Sequence, residues 1–207
     1  MTTAGRLITL EGGEGGGKST HCATVAAWLR RRGRQVVETR EPGGSPLAEA
    51  LRGLFLRDWD EGIDACTETL MLFAARAAHL HATIRPALAS GRDVVCDRFV
   101  DASYAYQGAG RGVSRQWLAA LEQQVLGATR PDLVLVFDLD PRIGLERTHQ
   151  RGDENRFEKE NLRFLDRVRN AYLDRARAEP ERYAVVDATQ PIEVVRNNIE
   201  TVLETRM

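Results

Sequence analysis

With 207 residues, the chain has the length of one domain that can bury a sizeable core. Its formal net charge of −1 at pH 7 excludes the broadly basic surface by which proteins bind nucleic acid. No run of about 18 apolar residues occurs, so no segment is predicted to span a membrane.

Cysteine usage and the N-terminus indicate the cellular compartment. The three cysteines, Cys22, Cys66 and Cys96, are far apart and odd in number, so we expect reduced, packed thiols in a cytoplasmic protein. The first residues carry neither the basic stretch nor the long apolar core of a signal peptide. His79 and His81 are two residues apart on a predicted helix and point to different faces, which argues against a zinc site.

Five short apolar runs, rich in β-branched residues, predict strands. In chain order they are RLITLEG (6–12), RQVVETREP (34–42), DVVCDRF (93–99), DLVLVFDLD (132–140) and YAVVDA (183–188). The runs are continuous and not alternating, which is typical of strands covered by helices on both faces. Since helical patterns lie between them, the sequence predicts an α/β fold with a doubly wound, five-stranded parallel sheet in a single domain covering 1–207.

Apolar residues at helical spacing predict the helices that cover this sheet. The predicted helices span 18–32, 67–90, 115–126, 157–178 and 191–205. Pro86 falls inside the second of them and is expected to kink it.

The segment 142–156 is unusually basic. Its basic side chains are Arg142, Arg147, His149, Arg151 and Arg156. Gly152 interrupts this short polar stretch. Taken alone, the segment is compatible with a mobile basic lid over an anionic ligand and equally with a solvated charged turn.

The stretch LEGGEGGGKST fits the phosphate-loop pattern G-x-x-x-x-G-K-[ST] directly after a predicted strand and at the start of a predicted helix. Glycines let successive N–H groups approach phosphate oxygens, and the helix N-terminus adds partial positive charge. We therefore predict a nucleoside triphosphate site in which Lys18 bridges the β- and γ-phosphates and Ser19 ligates Mg²⁺. The loop residues expected to contact the nucleotide are Gly12, Gly13, Glu14, Gly15, Gly16, Gly17, Lys18, Ser19 and Thr20.

A phosphate loop alone leaves the fate of the γ-phosphate open: transfer to water, transfer to a small acceptor, or no transfer. The chain lacks the Asn-Lys-x-Asp guanine reader of GTPase switches. A short chain with a basic lid favours a small acceptor, because a closed lid excludes competing water.

Four further segments narrow the acceptor: TREPGGSP (39–46), LFAAR (72–76), DRFVDASYAYQG (97–108) and RGDENRF (151–157). The first three follow predicted strands or lie on the long helix, at the rim where open α/β sheets bind ligands. In order and wording, these segments resemble the bacterial thymidylate kinases of the nucleoside monophosphate kinase group. The resemblance runs from the phosphate loop to the last strand. It implies a P-loop kinase fold with a short basic lid, transfer of the ATP γ-phosphate to dTMP giving dTDP and ADP, Mg²⁺ as cofactor, and a homodimer.

The resemblance also implies how the acceptor is held. Phe73 would stack on the pyrimidine and Arg76 would donate to the thymine O4. Further contacts are implied for the base edge, the 5-methyl group, the sugar C2′ and the acceptor phosphate or metal. Gln107 and Ser103 are implied to contact the base edge, and Pro42 the 5-methyl group. Tyr106 is implied to lie against the sugar C2′. Glu41 and Arg52 are implied to orient the acceptor phosphate and the metal.

The implied catalytic groups surround the phosphates. Arg98 would clamp donor and acceptor phosphates, since a fork of N–H donors suits two anions. Asp97 ends a strand and would hold Mg²⁺ or its water together with Ser19. Lys18, Asp97, Arg98, Arg151 and Glu14 are therefore the expected catalytic residues.

Glu14 is an acid inside an anion-binding loop. Some family members carry an arginine within this loop, and this chain has none there. The missing positive charge is expected from the lid, which supplies Arg147, Arg151 and Arg156. We predict that Arg151 is the main transition-state arginine. Glu14 is expected to turn toward the acceptor's 3′-hydroxyl or toward a lid arginine.

Two departures from the family pattern affect details of affinity. Ala102 stands where the family often has serine, and Asn155 where bacterial relatives often have aspartate.

Two other functions also remain open: a kinase for another monophosphate or a deoxynucleoside, and a phosphate-loop module that binds nucleotide to regulate a partner without transfer.

Overall fold

The structure, a computed structural model, describes residues 4–151 and 160–207. Its centre is a five-stranded sheet in which all pairs are parallel, with the strand order β2-β3-β1-β4-β5. The strands are β1 (Leu7–Gly12), β2 (Val36–Arg40), β3 (Asp93–Asp97), β4 (Leu133–Asp138) and β5 (Tyr183–Asp187). The predicted α/β class, the five strands and the parallel sheet are confirmed.

The register brings the carboxyl ends of the strands to one edge. Leu10 of β1 lies beside Asp97 of β3, and Gly12 lies beside Phe137 of β4. On the outer strands, Arg40 pairs with Asp97 and Asp138 with Asp187. The loops that leave this edge therefore surround the phosphate loop, which starts from the central strand.

Helices cover both faces of the sheet. They are α1 (Lys18–Arg31), α2 (Pro46–Leu56), α3 (Ala65–His79), α4 (Arg85–Ala89), α5 (Val100–Ser103), α6 (Arg115–Leu126), α7 (Pro141–Arg151), α8 (Leu162–Ala178) and α9 (Ile192–Arg206). Successive residues of a strand face opposite sides, so Ile8 and Leu10 pack with α1 and α9 while Leu7 packs with α3 and α6.

The long predicted helix 67–90 is continuous but changes its winding. A π-helical turn, Leu80–Ile84, joins α3 to α4 just before Pro86. Proline has no N–H for the carbonyl one turn earlier, and the wider turn accommodates this loss. A second π-helical turn, Tyr104–Gly110, continues α5 and carries side chains of the site.

The segment 142–156 is not a loop in its described part. Residues 142–151 belong to α7, which begins at Pro141 directly after β4. The interpretation as a charged turn is therefore wrong for this part, because it is helical, while the interpretation as a lid stays a prediction. Residues 152–156 lie outside the described residues. The helix α2 was not predicted from the sequence.

The three cysteines are unpaired, as predicted. Cys22 and Cys96 are buried, but Cys66 is exposed at the start of α3, which corrects the expectation that all three are packed. Among the described residues, no helix is both long and apolar enough to cross a bilayer.

Candidate active site

The phosphate loop connects β1 to α1 in the predicted strand–loop–helix arrangement. Gly12 has a φ of 130°, and a Cβ there would lie 2.4 Å from the carbonyl oxygen of Phe137 on β4. Only glycine fits this close approach. The Lys18 ammonium donates to the carbonyl of Gly13 at 2.6 Å, inside the loop that it would help to close around phosphate. Burial and the nearby Arg98 guanidinium lower the pKa of Lys18.

Ser19 and Asp97 meet beside the loop. The Ser19 hydroxyl donates to Asp97 Oδ2 at 2.6 Å, and both side chains line the same cavity. This contact follows from the sheet, since β1 and β3 are neighbours and both end at this edge. A hydroxyl and a carboxylate oxygen are hard oxygen donors of the kind that Mg²⁺ prefers.

Arg98 follows β3 and lies between the loop and the cavity next to it. Its Nη1 donates to the Gly12 carbonyl at 2.9 Å and to the Tyr172 hydroxyl at 3.1 Å. Its Nη2 donates to Glu14 Oε1 at 2.7 Å and to the Tyr106 hydroxyl at 3.1 Å. Only 14% of the Arg98 side chain is exposed. Although burial opposes the charge, Glu14 holds the pKa of Arg98 well above its usual value.

The backbone of Arg98 is also unusual, with a φ of 68° that side chains other than glycine rarely adopt. Two hydrogen bonds hold this turn: Arg98 N donates to the Leu10 carbonyl at 2.9 Å, and Phe99 N donates to Glu11 Oε1 at 2.7 Å. Strain of this kind persists where the surroundings fix it, and it occurs often at functional sites. Here it aims the guanidinium at the phosphate loop.

A cavity of about 250 Å³ opens between the phosphate loop, the end of β2 and the helices α2 and α3. Its polar wall includes Glu41, Arg52, Asp97, Arg98 and Gln107. Its apolar wall includes Phe55, Leu56, Leu72 and Ala102. Three guanidiniums, those of Arg40, Arg52 and Arg98, beside an apolar wall suit a ligand that joins an anionic phosphate to a flat base.

A second cavity, of about 540 Å³, lies on the other side of the loop. It is lined by Gly15–Gly17, by Arg147 and Gln150 of α7, and by the segment 188–192 after β5. Arg147 Nη1 donates to the Ala188 carbonyl at 2.9 Å and lies 3.4 Å from the Gly15 carbonyl. The phosphate loop therefore separates two cavities, and each is large enough for part of a nucleotide.

Comparisons with known proteins agree with this geometry. A family model described as thymidylate kinase matches residues 10–199. The thymidylate kinase of Pseudomonas syringae pv. syringae is 58% identical over 199 residues, covering 96% of this chain and 95% of the relative. The thymidylate kinase of Teredinibacter turnerae is 51% identical over 200 residues, covering 97% and 98%. The chain belongs to the thymidylate kinase family.

The fold agrees with a solved member of the thymidylate kinase family. The crystal structure of thymidylate kinase from Ehrlichia chaffeensis superposes with a TM-score of 0.80 at 30% identity, covering 97% of this chain and 99% of that chain. The family predicted from the sequence motifs is thereby confirmed. Enzymes of this family catalyse ATP-dependent phosphorylation of dTMP to dTDP.

Most residues implied by the thymidylate kinase resemblance lie together at the first cavity. Those that line it are Glu14, Gly15, Gly16, Gly17, Lys18, Ser19, Thr20, Glu41, Pro42, Arg52, Asp97, Arg98, Tyr106 and Gln107. Gly12 and Gly13 belong to the same loop without lining the cavity. Arg147 lines the second cavity. The Arg151 side chain and Arg156 lie outside the described residues.

Phe73, which is predicted to stack on the base, lies in the core and is not among the residues that line the cavity. It is 2% exposed and packs with Leu7, Leu80 and Ile84, and its ring lies 4.8 Å from the Arg76 guanidinium. Leu72, one residue earlier on α3, lines the cavity in its place. Adjacent residues of a helix point about 100° apart, and here Leu72 faces the cavity while Phe73 faces the core.

Arg76 and Ser103 are buried next to the cavity and do not line it. Arg76 Nε donates to Glu41 Oε2 at 2.6 Å, Nη1 to Ser103 Oγ at 3.1 Å and Nη2 to the Phe99 carbonyl at 3.1 Å. These bonds connect the end of β2, the turn after β3 and α5. Arg76 therefore fixes the relative positions of three segments that build the wall.

Among the described residues, Glu14 contacts two side chains of the first cavity, and its expected contact with a lid arginine or the acceptor's 3′-hydroxyl stays a prediction. It accepts hydrogen bonds from Arg98 and, at 3.2 Å, from the Tyr106 hydroxyl. Sequence reasoning missed this pair because 84 residues separate Glu14 from Arg98.

The second cavity was also missed. Its wall after β5 consists of residues 188–192, with Gln150 of α7 and His21 of α1. His21 stacks on Phe137 with ring centroids 5.5 Å apart. No motif identifies these residues. The one usable signal is that residues 188–192 directly follow the fifth predicted strand, at the rim where open sheets bind ligands.

Proposed function

We propose that this member of the family transfers the γ-phosphoryl group of ATP to dTMP beside the Arg98 guanidinium, which lies between the two phosphate sites. One observation carries the assignment: a single buried guanidinium contacts the phosphate loop through Gly12 and Glu14 and also lines the neighbouring cavity. A cation in that position neutralises both phosphate groups where they meet, which is the main demand of phosphoryl transfer.

ATP is proposed to bind with its phosphates in the loop and its base in the second cavity. The loop amides and Lys18 hold the β- and γ-phosphates, and Thr20 reaches the α-phosphate. Arg147 closes the base side, because its guanidinium already connects the loop to the segment after β5. Arg151 and Arg156 are proposed to add positive charge at the phosphates.

dTMP is proposed to occupy the first cavity, with its phosphate near Arg98 and Arg52. Leu72 and Phe55 replace Phe73 as the apolar contacts of the base. Gln107 contacts the base edge, and Tyr106 crowds the sugar C2′ and disfavours ribose. Pro42 borders the 5-methyl group. Arg76 uses three of its five N–H groups in the wall, and one of the other two is proposed to donate to the thymine O4. Ser103 is proposed, with Gln107, to contact the base edge.

Mg²⁺ fits the oxygens present. Among residues 4–151 and 160–207, no group of three His, Cys, Asp or Glu side chains could hold a metal ion. Mg²⁺ in such kinases needs only one or two protein oxygens, with phosphates and water completing its shell. Ser19 and Asp97 would supply them, since their oxygens are 2.6 Å apart at the loop. When bound, the ion neutralises charge on the β- and γ-phosphates.

Transfer itself requires no covalent intermediate on the protein. An oxygen of the dTMP phosphate attacks the γ-phosphorus, the bond to the β–γ bridging oxygen breaks, and ADP leaves. Lys18 and Arg98 stabilise the charge that spreads over the transferred group, and Arg151 is proposed to join them when ATP binds. Glu14 keeps Arg98 at the junction while the phosphates are absent.

We also propose a homodimer, and a cytoplasmic location consistent with the unpaired cysteines. Leu70 of α3 is 48% exposed, and Ala74 and Ala77 on the same helix are exposed at spacings of four and three. This apolar stripe supports α3 as part of the dimer face. Light scattering should give a dimer mass for the wild type and a monomer mass for Ala74→Glu.

An acceptor panel tests the proposed function. A coupled assay of ADP formation with ATP and Mg²⁺ should give the highest kcat/KM for dTMP among dTMP, dUMP, dCMP, AMP and thymidine. A better acceptor elsewhere in the panel would overturn the substrate assignment. ATP binding with no dTDP formed at saturating dTMP would instead favour a regulatory module.

A further inference from the structure

The side-chain amide of Gln107 has a hydrogen-bond partner for its NH₂ group but, among the described residues, none for its carbonyl oxygen. It lies in the wall of the first cavity and is 1% exposed. Its Nε2 donates to Glu68 Oε1 at 2.6 Å. Its Oε1 is buried, and no hydrogen-bond donor reaches it among the described residues. A buried carbonyl oxygen in a ligand cavity that lacks a donor points to a donor on the ligand.

Glu68 determines which half of the amide remains available. It is fully buried on α3, and Arg111 Nε lies 3.6 Å from its Oε1. An ionised carboxylate can only accept hydrogen bonds, so it holds the NH₂ group of Gln107 and leaves the carbonyl oxygen for a ligand. Without that partner the amide could turn over and present NH₂ instead.

We propose that Glu68 is a positioning residue that sets acceptor-base specificity through Gln107. The inference rests on the proposed function, since it needs the acceptor base in the first cavity. Thymine and uracil carry a hydrogen on N3, which Gln107 Oε1 can accept. Cytosine carries a lone pair on N3, so two acceptors would face each other. Glu68 therefore favours bases with an N3–H and rejects cytosine.

The size of the effect follows from the cost of an unpaired buried polar group. Sites built to hydrogen-bond one group reject ligands that lack it strongly, because the protein's own group then stays unpaired. Released from Glu68, Gln107 could satisfy either base. We expect the dTMP/dCMP ratio of kcat/KM to fall by about tenfold or more in a variant that frees the amide.

The test is Glu68→Gln, which keeps the shape but can either donate or accept. The measured quantities are kcat/KM for dTMP, dUMP and dCMP. We expect the dTMP/dCMP ratio to fall by at least about tenfold, while the dTMP/dUMP ratio stays within about twofold because both bases carry N3–H. Arg111 retains a partner in this variant, since its Nη2 lies 2.6 Å from Glu160.

Two further variants separate this role from a structural one. Asp101→Asn removes another buried carboxylate, which pairs with Arg175 and Tyr183. It should lower stability without changing the dTMP/dCMP ratio. In a Gln107→Leu background, Glu68→Gln should have no further effect on that ratio, because the amide it acts on is gone.

The outcomes distinguish this proposal from the proposed function. If the wild type prefers dTMP and Glu68→Gln keeps the wild-type dTMP/dCMP ratio, the role of Glu68 is overturned and the kinase assignment stands. An additive effect in the Gln107→Leu background also overturns it. If Glu68→Gln does not fold, Glu68→Asp, which withdraws the carboxylate by one methylene, should still lower the ratio. A wild type with no preference for dTMP contradicts the proposed function itself.

Discussion

Nη2 of Arg98 lies 2.7 Å from Oε1 of Glu14, so the guanidinium that follows β3 is tied to the middle of the phosphate loop. This pair explains why an acid stands in an anion-binding loop. Glu14 compensates the buried charge of Arg98 while no phosphate is present, and phosphates can take over that role when they bind. The pair places the positive charge where the two cavities adjoin.

Leu72 and Phe73 should respond differently to substitution. Leu72→Ala should raise KM for dTMP several-fold with little change in KM for ATP, because it removes an apolar contact from the acceptor cavity. Phe73→Leu should lower the free energy of unfolding by about 1 kcal/mol, since it truncates a core residue, and leave KM for dTMP unchanged. Steady-state kinetics and urea denaturation measure both. The reverse pattern would restore Phe73 as the base contact.

Arg151 is tested by removal of its side chain. Arg151→Ala should lower kcat by about 10³-fold, by analogy with other transition-state arginines, with a smaller change in KM for dTMP. Arg142→Ala is the matched control, because Arg142 is an exposed arginine at the other end of α7. It should stay within about twofold of the wild type. A kcat for Arg151→Ala within tenfold of the wild type would remove the assignment but not the kinase activity.

Gly144 is expected to set the distance between α7 and the phosphate loop. A Cβ on Gly144 would lie 2.5 Å from the Glu14 carbonyl oxygen, and one on Gly15 would lie 2.4 Å from the Gly144 carbonyl oxygen. Gly144→Ala must therefore displace α7, which carries Arg147. We expect KM for ATP to rise by about tenfold, and KM for dTMP to change less.

The matched control for Gly144→Ala is Gly53→Ala. Gly53 is an exposed helical glycine, and a Cβ there would have no atom within 4 Å. It should leave both KM values unchanged. Equal kinetic effects of the two variants would show that α7 does not need its close contact with the loop.

Glu11 should make stability depend on pH. Burial and then the Asp101 carboxylate raise the pKa of Glu11 from 4.5 to about 8. Between these values the folded protein holds a proton that the unfolded chain has released. The stability that the protonated Glu11 contributes to the folded state is therefore fully present below about pH 4.5 and is lost as the pH rises through about 8.

Glu11→Gln should flatten this dependence while keeping an acceptor for the Phe99 N–H. One proton of difference corresponds to at most about 1.4 kcal/mol per pH unit. Denaturation at intervals from pH 5 to 8.5 should show the wild type losing stability faster than the variant. Parallel curves would contradict the protonated state of Glu11.

The sequence was sufficient for the sheet but not for every wall of the site. Continuous apolar runs identify strands buried on both faces, and the glycine pattern identifies the loop, because both are local properties. Whether Leu72 or Phe73 faces the cavity is not a local property of the sequence. Both lie about one turn from Arg76, and the packing of α3 against its neighbours determines which of them faces the cavity. The segment after β5 has no motif, so only the strand order brings it to the phosphate loop.

The helix α7 shows a different limit. Its composition is so polar that no apolar stripe marks it, although Thr148 is buried and Gly144 contacts the loop. Contacts with the loop and with α8 stabilise it, and they cannot be seen along the chain. The tie between Arg98 and Glu14 was hidden for the same reason.

A crystal structure with dTMP and a non-hydrolysable ATP analogue tests the central claim most directly. We predict the triphosphate in the phosphate loop and the thymine against Leu72 and Gln107, with the guanidinium of Arg98 between the two phosphate groups. A thymine bound outside the cavity lined by Leu72 and Gln107, or an Arg98 side chain that contacts neither phosphate, would contradict it.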